Sequence, residues 1–167
     1  MMKPYTFYVP TMVFSGRGCL EEKAELLKHF GQKALLVTSP FPDGIVNLAL
    51  EDAKKVLTAQ GIEYMVTDEV EENPPIRTIV SMTKKARTFN PDFLMGIGGG
   101  SSIDSAKAIS VMLDYPAEND NLEDATNLLY DGTLPHEALH SDGSRPVLAV
   151  PTTAGTGAEV TAFAVLT

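Results

Sequence analysis

Two short segments rich in glycine and hydroxyl groups carry the residue types best suited to chemistry. The first is Gly98-Gly99-Gly100-Ser101-Ser102-Ile103-Asp104, which follows the apolar run Phe93–Ile97 and opens a stretch with helical spacing. Consecutive glycines lack Cβ atoms, permit positive φ and let a ligand approach the backbone. The helix behind them aims unsatisfied N–H groups and the positive end of its dipole at the same spot. That combination suits a phosphate or pyrophosphate held by backbone amides, without side-chain charge. Ser101 and Ser102 add hydroxyl donors. Ser101 and Asp104 also have the spacing of a capping box, which would give Asp104 structural work in place of ligand contact. Capping uses one glycine at most, so the run of glycines points to a ligand. The spacing matches neither standard phosphate loop. No lysine follows for G-x-x-x-x-G-K-[ST], and after Gly96-x-Gly98 the third glycine of G-x-G-x-x-G is replaced by Ser101.

The second segment is Pro151-Thr152-Thr153-Ala154-Gly155-Thr156-Gly157-Ala158-Glu159, placed directly after the apolar run Val147–Val150. Threonine hydroxyls serve a ribose, a phosphate or a carboxamide. One such loop is commonly a plain connection. Two of them, after two strands of one sheet, form a crevice.

A rival motif is His136-Glu137-Ala138-Leu139-His140, a literal H-E-x-x-H. On a helix it would put both histidines on one face for zinc, with Glu137 as general base of a zinc peptidase. Glu159 lies 19 residues beyond His140, near the spacing of a third ligand. The context is poor: Gly132 and Pro135 precede the motif and Ser141-Asp142-Gly143 follows it. That leaves a turn or two of helix, and the bland reading is a surface loop with solvated histidines.

The elements that must position these loops alternate. Residues 5–14 read as an edge strand and Leu20–Phe30 as a helix stopped by Gly31. Lys33–Ser39 is a strand, and Gly44–Gln60 a helix placing Ile45, Leu48, Ala49, Ala53, Val56 and Leu57 on one face. Ile62–Val66 is a strand, Pro75 opens a helix, Asp92–Gly98 is a strand and Ser102–Leu113 a helix. A short helix falls near Leu122–Leu129, a strand at Pro146–Pro151 and another at Thr161–Thr167. The Glu69-Val70-Glu71-Glu72 run reads as a solvated loop. Strands alternating with helices mean βαβ units and a parallel sheet. The continuous apolar runs of Leu35–Val37, Phe93–Ile97 and Val147–Val150 require a sheet covered on both faces. In such sheets ligands bind at the carboxyl ends of the strands, which is where both loops fall.

Composition bounds the function. The chain has 167 residues and is 44% hydrophobic, enough for one packed domain over residues 1–167. Thirteen Lys and Arg against 22 Asp and Glu give a formal charge of −9, which argues against nucleic acid. One cysteine, Cys19, excludes an internal disulfide framework and fits a reducing compartment. No run approaches the ~20 apolar residues of a membrane span, and MMKPYTFYVP lacks the apolar core of a signal peptide. The expectation is a cytoplasmic protein that engages neither membrane nor nucleic acid.

GGGSSIDSAKA (98–108) and PTTAGTGAEVT (151–161), taken together, resemble the iron-containing (group III) alcohol dehydrogenases. The resemblance covers essentially the whole chain. It implies an α/β fold, a Rossmann-like parallel sheet with helices on both faces, that binds NADP or NAD. Gly99, Gly100 and Ser101 would hold the pyrophosphate, with Asp104 beside them. Asn73 matches a family asparagine near the cofactor. Thr152, Thr153 and Thr156 would line the adenine and nicotinamide side of the cleft, and Thr161, Phe163 and Val165 would pass close to the nicotinamide. Many NAD-dependent members carry an aspartate where Ser39 stands; its absence removes a charge that would repel a 2′-phosphate, so NADP is expected to be accepted or preferred. The family's metal ligands, one aspartate and three histidines, lie beyond the position matching Thr167, as does its helical metal domain. The expectation is therefore the cofactor half of a metal-dependent enzyme that moves hydride between a nicotinamide and a small alcohol or aldehyde. Catalytic and metal-ligating residues, with iron or zinc, would belong to the full-length enzyme, and this chain alone would not turn over. The resemblance also implies a homodimer or higher oligomer. The alternative from another class is a stand-alone nucleotide-binding or assembly module without catalysis.

Overall fold

The computed structural model describes residues 11–43, 45–116, 121–130, 144–161 and 164–167. Its centre is a four-stranded parallel sheet of β1 (Lys33–Thr38), β2 (Glu63–Thr67), β3 (Phe93–Gly98) and β4 (Val147–Pro151), in the order β2-β1-β3-β4. The register runs Val37 beside Thr67 and Gly96, and Gly96 beside Ala149. The helices are α1 (Cys19–Glu22), α2 (Leu48–Gln60), α3 (Ile76–Phe89), α4 (Gly100–Leu113) and α5 (Leu122–Tyr130), with 3₁₀ turns at Ala24–His29 and Ala158–Val160.

Alternate residues of each strand face opposite layers, and both layers are apolar. Leu35, Val37 and Leu94 pack with Ile79 and Met82 of α3, Ile109 and Met112 of α4, and Ala125 of α5. Ala34, Leu36, Phe93, Met95 and Ile97 pack with Ala24, Leu27, Ala53, Val56 and Leu57 on the other face. The central strands are therefore buried on both sides, as their unbroken apolar runs require. No helix among the described residues is long and apolar enough to cross a membrane.

Several elements differ from the sequence expectation. The Leu20–Phe30 helix divides at Lys23 into α1 and a 3₁₀ turn, whose buried residues Ala24 and Leu27 are three apart, the spacing that aligns in 3₁₀ geometry. The helix expected from Gly44 starts at Leu48, because the Asn47 side chain caps it by accepting from the Leu50 amide at 3.1 Å. Ile45, Val46 and Leu48 are consequently exposed. The capping box is not made: α4 begins at Gly100 with Gly99 as its N-cap and no side-chain cap bond. Thr161–Thr167 is not a sheet strand in its described residues. Thr167 instead exchanges backbone bonds with Pro74 (3.1 Å) and Ile76 (2.9 Å) at the start of α3. Residues 11–14 are in no strand, and the rest of the strand expected from Tyr5 lies outside the described residues. So do Phe163 and the His136–His140 motif.

Candidate functional site

The chain leaves β1 for β2 on one side and returns to β3 on the other, so the loops after β1 and β3 diverge. That topological switch point is where open α/β sheets bind ligands. It holds a crevice of about 390 Å³ lined by Ser39 and Pro40 after β1, Val70, Glu71 and Glu72 after β2, and Gly99, Gly100 and Ser101 after β3.

Local sequence explains the shape. Gly98 has φ +142°, a conformation L side chains rarely adopt, and this turns the chain from β3 into α4. Ser102 fills the space above it: a Cβ on Gly98 would lie 2.6 Å from Ser102 Oγ. That hydroxyl is also 3.3 Å from Ser39 Oγ, linking the two diverging loops. Gly99 and Gly100 present bare backbone at the N-terminus of a 14-residue helix, where free N–H groups and the dipole favour an anion.

The loop after β4 joins this site. The Thr152 amide donates to the Gly98 carbonyl at 2.9 Å, which extends the β3–β4 pairing into the loops. A Cβ on Gly99 would lie 3.1 Å from Thr153 Oγ1, and one on Gly100 3.2 Å from Thr156 Cγ2. Thr156 Oγ1 accepts from the Ala158 amide at 3.4 Å. The two hydroxyl- and glycine-rich segments are therefore neighbours at one end of the sheet.

The remaining candidates sit around this centre. Asp104, one turn into α4, is buried and does not line the crevice; its oxygens accept from Lys107 Nζ and the Val165 amide, each at 3.1 Å. Thr161 Oγ1 is 3.3 Å from Lys107 Nζ. Asn73 is exposed, with φ +49°, and its carbonyl accepts from Thr167 Oγ1 at 2.8 Å. Of the predicted residues, Ser39, Gly99, Gly100 and Ser101 line the crevice, whereas Asn73, Asp104, Thr152, Thr153, Thr156, Thr161 and Val165 do not. Among the described residues, nothing hydrogen-bonds the buried Oε2 of Glu159.

The wall formed by Val70, Glu71 and Glu72 escaped the reading of that run as a solvated loop. Its signal was topological: it follows a strand whose carboxyl end lies on the same edge as the other two loops. Glu71 is held there by Thr78 Oγ1 (2.6 Å) and Arg77 (3.6 Å). A larger open depression, about 520 Å³, lies at the amino ends of the strands among Lys28, His29, Gln32, Asp92 and Arg145. Its main polar groups serve the fold: Asp92 accepts from the Gln32 and Lys33 amides, and Arg145 donates to Pro91, Asn90 and Asp114. The crevice at the switch point is the stronger candidate, because it opens on bare glycine backbone at the N-terminus of α4, where no side chain caps the helix.

Residues 10–167 match the iron-containing alcohol dehydrogenase family. A choline dehydrogenase of Bacillus subtilis is 36% identical over 170 residues, spanning 100% of this chain and 39% of that protein. An NADPH-dependent butanol dehydrogenase of Clostridium saccharobutylicum is 33% identical, over 96% of this chain and 38% of its own length. The crystal structure of an iron-containing alcohol dehydrogenase from Thermotoga maritima superposes with a TM-score of 0.77 at 37% identity, covering 95% of this chain and 40% of that one. The chain thus spans about two fifths of the length of these relatives.

Proposed function

Because the chain belongs to the iron-containing alcohol dehydrogenase family, we propose that it is the NAD(P)-binding domain of a metal-dependent alcohol dehydrogenase acting on a small alcohol or aldehyde. The observation that carries this reading is the bare Gly99–Gly100 backbone at the head of α4, opening into the switch-point crevice. A side chain at either glycine would press on Thr153 or Thr156 and fill the cradle a pyrophosphate needs. The residues present therefore fit a dinucleotide. Gly99, Gly100 and Ser101 hold its phosphates through N–H and O–H donors, which explains how an acidic chain binds a polyanion. Ser39 and Pro40 border the adenosine ribose, and Thr153 and Thr156 pack against Gly99 and Gly100 behind the phosphate cradle. When bound, the nicotinamide donates or accepts the hydride.

Among the described residues no group of three His, Cys, Asp or Glu side chains could hold a metal ion.

NADPH is the preferred cofactor in this reading. Ser39 brings a neutral hydroxyl to the end of β1, where a carboxylate would repel a 2′-phosphate. Of the two nearby acidic residues, Glu71 is partly offset by Arg77. The butanol dehydrogenase relative is itself named for NADPH. Isothermal titration of the 167-residue chain with NADPH and NADH tests both claims. Saturable binding of either supports the domain assignment, and tighter NADPH binding supports the preference. A natively folded chain that gives no heat with either nucleotide overturns the assignment.

A further inference from the structure

No Lys or Arg is among the described residues that line the switch-point crevice, whereas Glu71 and Glu72 are. The bare amides at the head of α4 serve a pyrophosphate. They leave a further phosphate, on the ribose beside Ser39, without a cation. A neutral Ser39 only removes a repulsion there and supplies no attraction. The wall itself brings the missing charge. Arg77, in the first turn of α3, lies with its Nη2 3.6 Å from Glu71 Oε2.

That contact is built to be exchanged. At 3.6 Å it is longer than a hydrogen bond, and the Arg77 side chain is 70% exposed, so the pair holds the guanidinium weakly. Glu71 does not depend on it, because its other oxygen accepts from Thr78 Oγ1 at 2.6 Å. The rest of the wall is anchored elsewhere. Lys85 Nζ lies 2.7 and 2.8 Å from the two Glu69 oxygens, and buried Val70 donates its amide to the Thr38 carbonyl at 3.3 Å. Arg77 can therefore leave Glu71 without loosening the loop. Resting on the nucleotide site proposed above, we propose that Arg77 determines cofactor specificity by taking the 2′-phosphate of NADPH. Its guanidinium moves from Glu71 to the phosphate, where a planar fork of donors makes charge-assisted bonds. Ser39 permits the phosphate and Arg77 attracts it.

Titration calorimetry with NADPH and NADH tests this, with melting temperatures expected to hold because Arg77 is exposed. Arg77→Met should weaken NADPH binding about tenfold and leave NADH within about twofold of wild type. Arg77→Lys should keep part of the NADPH affinity, since an ammonium supplies charge without the fork. A double-mutant cycle with Glu71→Gln separates direct contact from simple neutralisation of Glu71. If Arg77 holds the phosphate, its loss still weakens NADPH binding in the Glu71→Gln background. If that loss disappears there, Arg77 only screens Glu71 and the proposal is overturned. An unchanged ratio of NADPH to NADH affinity in Arg77→Met also overturns it, as does a wild type that binds NADH and not NADPH. A wild-type chain silent toward both nucleotides fails the function reading itself, which is a distinct outcome.

Discussion

Gly96 lies directly beneath Ile103: a Cβ on the glycine would come within 2.8 Å of Ile103 Cα and 3.2 Å of Ala106 Cβ. The absence of a side chain lets α4 settle onto β3, and this close packing fixes where the head of α4 meets the crevice. The obstructing Ile103 atom is backbone, so neither partner can yield by rotating a side chain. Gly96→Ala is expected to destabilise the domain by about 1–3 kcal/mol through overpacking. Urea unfolding checks this, and an unchanged midpoint refutes the packing argument.

Gly100 has the opposite tolerance. An added Cβ meets only the Thr156 side chain, at 3.2 Å and beyond, and this side chain can move. Gly100→Ala should therefore leave the melting temperature within a few degrees of wild type, since an alanine suits a helix's first turn. NADPH binding should weaken about tenfold or more, because the methyl occupies space the phosphates need. Calorimetry and thermal denaturation of the same sample separate the two effects. A large loss of stability with intact binding contradicts this division of roles.

Ser39→Asp places a carboxylate where Ser39 Oγ lies 3.3 Å from Ser102 Oγ. The new charge repels a 2′-phosphate and offers two acceptors to an unphosphorylated ribose. The ratio of NADPH to NADH affinity should fall about tenfold or more in this half-exposed position. Titrating both nucleotides against wild type and variant gives the ratio directly. An unchanged ratio removes Ser39 from the specificity argument.

The parallel sheet was legible because Leu35–Val37 and Phe93–Ile97 are apolar at every position, and burial on both faces leaves no other pattern. The glycine segment was legible as a tight strand-to-helix turn although it fits no standard fingerprint. Gly96 lets α4 pack closely on β3, and Gly98 supplies the positive φ of the turn. Boundaries governed by one side-chain bond were harder to read. Apolar spacing carries α2 back to Gly44, but Asn47 caps it at Leu48 and leaves Ile45 in solvent. The strand expected at Thr161–Thr167 is not formed in its described residues for a tertiary reason. Its apolar spacing suits a strand, yet Asp104 and the Pro74–Ile76 backbone claim its amides. The Glu71–Glu72 wall was hidden because local sequence does not state which loops share an edge of the sheet.

Arg87 closes the other end of α4. From α3 its Nη1 donates to the Leu113 carbonyl at 2.9 Å and its Nη2 to the Met112 carbonyl at 2.6 Å. A cation there satisfies terminal carbonyls and complements the negative end of the helix dipole. Arg87→Met keeps much of the apolar stem but loses the fork, and should cost about 1–3 kcal/mol in urea unfolding. Arg87→Lys should recover only part of the loss, because an ammonium is a point donor that cannot reproduce the planar two-pronged geometry. Nucleotide affinity, measured where each variant remains folded, should stay near wild type, since α4 meets the crevice at its opposite end. Full recovery of stability in the Lys variant would refute the fork argument, because a point charge would then suffice.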